Sequence, residues 1–280
     1  MAYARKFDGS ERCRLDRTAT DSTGGLEKEA GQERLRELGA EFSELEDLLY
    51  YAGQNSLLLV LQGRDTSGKD GAIRTLLSFS NAQNLRVESF KVPSEEEMGH
   101  DFLWRIHSRA PRRGAITIFN RSHYEDVLVV RVHDLVPEKV WRARYRHIRH
   151  FEELLQDSGT IILKFLLHIS KSEQEERLLD RERETEKAWK LAVGDWQERE
   201  RWDSYTQAYE DAVHECATPA APWFVVPADH KWFRDLAILE QVVAALRPRR
   251  ADWMQALDEV GKRAKEELEA YRKQKRRPEG

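Results

Sequence analysis

A chain of 280 residues, 40% of them hydrophobic, can fill one large α/β domain or two ordinary ones and can pack a core, which excludes wholesale disorder. Its 46 basic and 50 acidic residues leave a net charge of −4, so no global field favours nucleic acid or a membrane surface. The absence of a ~20-residue apolar run or a signal-peptide core, together with two cysteines only, Cys13 and Cys216, predicts a cytoplasmic protein without a disulfide framework or zinc cluster.

Residues 1–25 are polar, end in Ser22-Thr23-Gly24-Gly25 and show no period, which predicts an extended N-terminal arm. From Leu26 the residues Leu35, Leu38, Phe42, Leu45, Leu48 and Leu49 recur at threes and fours, the helical period. Ser56–Leu61 is a short continuous apolar run, as in a strand covered on both faces of a parallel sheet. Four further strands are expected at Arg86–Val92, Ala115–Phe119, Thr160–Ile169 and Trp223–Val226. Helical stretches separate them, so the expectation is an α/β fold with a five-stranded parallel sheet and helices on both faces. This core spans 26–250. Within it, 171–202 is helix-forming and densely charged, and 251–280 is a second charged helix with a frayed basic end.

The chemistry concentrates directly after the first strand, in Gly63-Arg64-Asp65-Thr66-Ser67-Gly68-Lys69-Asp70-Gly71. Gly63, Gly68 and Lys69 have Walker A spacing, and a helix follows. Backbone N–H groups of Gly63, Thr66, Ser67, Gly68 and Gly71 can curl round a phosphate at a helix N-terminus. Lys69 can bridge the terminal phosphates. Asp70 takes the place of the usual Ser or Thr, and Asp65 puts a second carboxylate into an anion-binding loop. An acid there makes sense if it holds a metal ion or takes a proton.

The strand Ala115–Phe119 runs into Asn120-Arg121-Ser122-His123-Tyr124-Glu125-Asp126-Val127-Leu128. Asn120 stands where such strands often carry a magnesium-side acid, and Arg121 is placed to reach a phosphate with its fork. Together the two segments resemble the family-2 polyphosphate kinases. The resemblance extends over 30–245 and includes Ser89-Phe90-Lys91-Val92-Pro93, His100–Arg105 and Val226–Phe233. It implies a P-loop kinase fold similar to thymidylate kinases, with 171–202 as a helical lid. The implied activity is magnesium-dependent phosphoryl transfer between inorganic polyphosphate and AMP, ADP or ATP, with manganese as a substitute metal. The implied metal ligands are Asp65 and Asn120, although many members carry aspartate at the latter position. Glu125–Leu128 resembles the subgroup that accepts both AMP and ADP (class III). A homo-oligomer, dimer or tetramer, is expected, with neither nucleic acid nor membrane as partner.

Phosphoryl transfer depends on positioning and neutralised charge, and the residues supply candidates for both. Asp65, Lys69, Arg121, Glu125 and Arg181 are the candidate catalytic groups, with Asp70 counted among the phosphate-loop residues. Between Asp101 and His150 there are 11 Lys/Arg against 5 Asp/Glu, a basic track for a polyanion in which Arg131 is the chosen ligand. Arg177 and Arg181 share a helix face, and Lys187 and Lys190 are expected to line the same mouth. His123 and His168 are read as structural, and Trp141 and Tyr145, four apart, as core. A phosphohistidine route finds no well-oriented histidine, so direct in-line transfer is expected. The competing readings are an ATP-dependent nucleoside monophosphate kinase, against which Asp70 counts, and a non-enzymatic polyanion-binding P-loop protein.

Overall fold

The computed structural model describes residues 3–183 and 193–275. In chain order the elements are β1 (Arg5–Phe7), α1 (Lys28–Ala52), β2 (Ser56–Gly63), α2 (Lys69–Phe79), β3 (Leu85–Ser89), α3 (Glu95–Met98), α4 (Trp104–His107) and β4 (Ile116–Asn120). There follow α5 (Val129–Val132), α6 (Glu138–Asp157), β5 (Thr160–His168), α7 (Lys171–Arg183), α8 (Val193–Glu200), α9 (Trp202–Cys216), β6 (Trp223–Pro227), α10 (Lys231–Leu246) and α11 (Arg250–Lys275). A 3-10 turn, His123–Asp126, lies between β4 and α5.

The sheet order is β1-β6-β5-β2-β4-β3. The five strands β6, β5, β2, β4 and β3 pair in parallel, which puts the carboxyl ends of β2, β4 and β5 side by side. All eight residues of β2 are buried, because successive side chains face opposite layers. Leu57, Leu59 and Leu61 join one core with α1, α2 and α10. Leu58 and Val60 join a second core with α6 and α9, where Trp141 and Tyr145 also lie buried.

Two expectations are corrected. The sheet has six strands, not five, because Arg5–Phe7 pairs antiparallel with β6. Residues 3–25 also do not extend as a free arm. Phe7, Cys13 and Leu15 enter the second core, the Leu15 carbonyl lies 3.2 Å from His168 Nε2, and Thr20 Oγ1 donates to Asp229 at 2.7 Å. Three residues of strand are too few to show a period, so contact with the sheet edge decides this segment. Towards its C-terminus α11 leaves the body: Trp253 is buried and donates to Asn55, while Val260, Leu268 and Tyr271 are exposed. No described helix is long and apolar enough to cross a membrane.

Candidate active site

The loop after β2 is built on backbone conformations that side chains resist. Thr66 (φ 64°) and Gly68 (φ 99°) are left-handed, and a Cβ at Gly68 would overlap the Arg234 guanidinium, so glycine is required there. Gly68 caps α2, whose first residue is Lys69. The Lys69 ammonium is buried and donates to the carbonyls of Gly63 (2.8 Å) and Arg64 (3.2 Å). Burial lowers its pKa, assisted by Arg121 and opposed by Asp65, Glu125 and Asp70. The hydroxyls of Thr66 and Ser67 are buried without a protein partner.

Parallel pairing of β2 with β4 places Leu61 opposite Asn120 and so brings the second motif against the loop. Arg121, also left-handed at φ 61°, donates to Asp65 Oδ1 at 2.7 Å and to Glu125 Oε2 at 3.3 Å. Burial disfavours its charge, but Glu125 and Asp65 outweigh that and raise its pKa. The guanidinium therefore stays ionised between two carboxylates. Asn120 Nδ2 donates to Asp70 Oδ1 at 2.9 Å. The Asn120 amide thereby orients the Asp70 carboxylate, and both residues line the mouth of the loop.

Helix α7 reaches the same loop from the other side. Gln174 donates to the Asp65 carbonyl at 3.1 Å. Arg177, expected to bind phosphate, lines this site and donates to the backbone of Thr66 (2.9 Å), Ala228 (2.7 Å) and Asp229 (2.8 Å), with Nε on Glu173. It is a strut between α7, the loop after β2 and the end of β6. Arg181 pairs with Asp195 at 2.7 Å, tying α7 to α8. Burial and the nearby Asp65 raise the Asp195 pKa, opposed by Arg181 and Arg121.

These elements enclose a cavity of about 380 Å³ lined by Asp65, Thr66, Gly68, Lys69, Asp70, Gly71, Asn120, Arg121, Arg177 and Arg181. Arg74, Asp180, Lys231 and Arg234 complete it and were not singled out from sequence. Arg74 lies four residues after Asp70, one turn along α2, and Lys231 falls inside the segment that carried the resemblance, with Arg234 one turn beyond. Seven cationic side chains thus face three carboxylates. Two further cavities meet the first at Arg121 and share Glu125. One, about 230 Å³, has an aromatic wall of Trp202, Tyr205 and Tyr209. The other, about 500 Å³, is mainly apolar and includes Phe90, Val92, Pro93 and Leu135.

Other expected residues lie elsewhere. Arg131 lines a different cavity and is held by Asp211 at 2.8 Å over the Trp141 ring. Much of the basic run is likewise consumed by ion pairs: Arg109 with Glu88, Arg142 with Glu138, Arg144 with Asp126 and Arg149 with Glu215. Lys187 and Lys190 lie outside the described residues. His123 and His168 are buried; burial, then Arg64, lowers the His168 pKa to about 4.

Known proteins share this arrangement. The Polyphosphate kinase 2 (PPK2) family model matches residues 25–252. An AMP/ADP-polyphosphate phosphotransferase of Meiothermus ruber is 49% identical over 246 residues, 87% of this chain and 91% of that protein. An ADP-polyphosphate phosphotransferase of Rhodopseudomonas palustris is 45% identical, covering 78% of this chain and 79% of that one. The crystal structure of polyphosphate kinase 2 from Arthrobacter aurescens TC1 superposes with a TM-score of 0.83 at 37% identity, covering 86% of this chain and 90% of that one. The matched span contains the loop after β2, the Asn120–Asp126 segment, α7, α8 and the Lys231–Arg234 turn, and sequence and fold agree that the chain belongs to the polyphosphate kinase 2 family.

Proposed function

We propose that the protein transfers a phosphoryl group between inorganic polyphosphate and AMP or ADP by in-line displacement, using magnesium, with manganese able to replace it. The observation that carries this reading is the cavity over the phosphate loop, where seven cations meet three carboxylates. That excess suits a chain of phosphates. The acceptor belongs in the two cavities that share Arg121 and Glu125, whose aromatic and apolar walls suit a nucleoside. The names of the Meiothermus ruber and Rhodopseudomonas palustris relatives support AMP and ADP as acceptors.

Arg121 lines all three cavities, so its fork can contact donor and acceptor phosphates together. Asp65 and Glu125 hold that fork in place before substrate arrives. Lys69, at the start of α2, and Arg181, on α7, place positive charge beside the negative equatorial oxygens of a transferring phosphoryl group. Arg177 and Gln174 keep the loop backbone in its strained course. Among the described residues no three His, Cys, Asp or Glu side chains form a metal cage. Asp65 and Asp70 both face the cavity, and two carboxylates completed by phosphate oxygens fit magnesium. Bound there, the ion would neutralise phosphate charge.

The test is to incubate the protein with magnesium, AMP or ADP, and either polyphosphate or ATP, and to follow the nucleotides. Transfer from polyphosphate is expected, with Lys69→Ala lowering it by about 10²-fold or more while the fold survives. Transfer from ATP alone would replace this reading with that of a nucleoside monophosphate kinase. The expected homo-oligomer is read by light scattering.

A further inference from the structure

The period of β5 is broken by a charge. Ile162 and Leu166 enter the core beneath α6 and α9, and Lys164 lies between them on the same face, wholly buried. Its ammonium donates to Glu152 Oε2 (2.5 Å), Cys216 O (2.7 Å) and Tyr124 Oη (3.2 Å). The other Glu152 oxygen accepts from Tyr124 Oη at 2.8 Å and lies 3.3 Å from His123 Nε2. Burial lowers the His123 pKa, and with its proton on Nε2 the ring donates a hydrogen bond to Glu152. Apolar residues of similar volume often replace a buried ion pair without loss of stability. The placement therefore asks for a directional role.

That role follows from what the pair holds. Tyr124 and His123 are consecutive residues of the 3-10 turn His123–Asp126, which contains Glu125 and begins two residues after Arg121. Arg121 is left-handed, a conformation that persists only where surroundings over-determine it. On the loop side, Ser122 Oγ accepts from Gln62 and from the Tyr124 backbone N–H. On the far side, the Lys164–Glu152 pair is the anchor. None of Lys164, Glu152, His123 or Tyr124 lines a cavity that Arg121 lines.

We propose that the buried Lys164–Glu152 pair, acting through Tyr124 and His123, positions the Arg121–Glu125 turn for phosphoryl transfer, so that these four are positioning residues of the reaction. The proposal rests on the reading of Arg121 and Glu125 given above. Tyr124→Phe deletes one hydroxyl and leaves the ion pair closed, so the fold is kept. It is expected to lower kcat about tenfold with KM for polyphosphate changed less than twofold. In an Arg121→Lys background the same change is expected to cost less than twofold, since residues acting through one another are not additive. The double variant Lys164→Met/Glu152→Leu removes both charges at once and is expected to fold and to lose at least as much kcat as Tyr124→Phe. An unchanged kcat in Tyr124→Phe, or equal losses in both backgrounds, would overturn the proposal, as would a folded double variant with full turnover. If instead Arg121→Ala retained full activity, the reading of the site itself would fall.

Discussion

Replacing Arg177 by alanine separates a strut from a phosphate ligand. The guanidinium is 7% exposed and supplies donors to three backbone carbonyls, those of Thr66, Ala228 and Asp229, besides Glu173. A hydrogen bond from a charged group contributes about 1.5–3 kcal/mol. Water entering the space recovers part of the three backbone bonds, which leaves a loss of about 4 kcal/mol. At roughly 2–4 °C per kcal/mol for a large domain, Tm should fall by about 10 °C. The Thr66 backbone, released from its left-handed course, should also lower kcat, while KM for polyphosphate changes little. Arg177→Lys keeps the charge but not the fork, and should fall between the two. Thermal unfolding and initial rates at varied polyphosphate provide the measurements. An Arg177→Ala protein with unchanged Tm and a tenfold higher KM for polyphosphate would refute the reasoning, because that is the signature of a lost phosphate contact.

Glu125→Asn leaves Arg121 anchored by Asp65 alone and removes a carboxylate from the wall of both acceptor-side cavities. The ratio of AMP to ADP rates should shift by about tenfold, or about 1.4 kcal/mol in differential barrier, and an unchanged ratio would reduce Glu125 to a simple partner of Arg121. His168 supplies a pH dependence. Its pKa is about 4 in the fold, lowered by burial and Arg64, against about 6.5 when unfolded. The unfolded chain therefore binds the extra proton, and the stabilisation present above pH 6.5 is lost as pH falls towards 4. At pH 5 that amounts to about 2 kcal/mol. His168→Asn should flatten the denaturant midpoint between pH 7 and pH 5, and an equally steep dependence in the variant would refute the assignment.

The strands β2, β4, β5 and β6 were legible because they are covered on both faces, and double coverage demands an apolar run such as Leu57–Leu61. The phosphate loop was legible for a different reason: glycine at Gly68 and lysine at the first position of a helix are local requirements, written in consecutive residues. Resemblance added the lid and the acceptor chemistry. Where a residue's role depends on what comes to meet it, the sequence was silent or misleading. Arg131 and Arg177 look alike as cations in basic company, yet one meets Asp211 and the other meets three carbonyls. Arg74, Lys231 and Arg234 come from two helices separated by more than 150 positions and converge only when α10 packs against α2. The strand Arg5–Phe7 has too few residues to announce itself and forms because β6 presents a free edge. Lys164, a lysine in an apolar strand, is explained by Glu152 on α6, since a buried charge is tolerable only where a partner and hydrogen bonds replace the water it has lost.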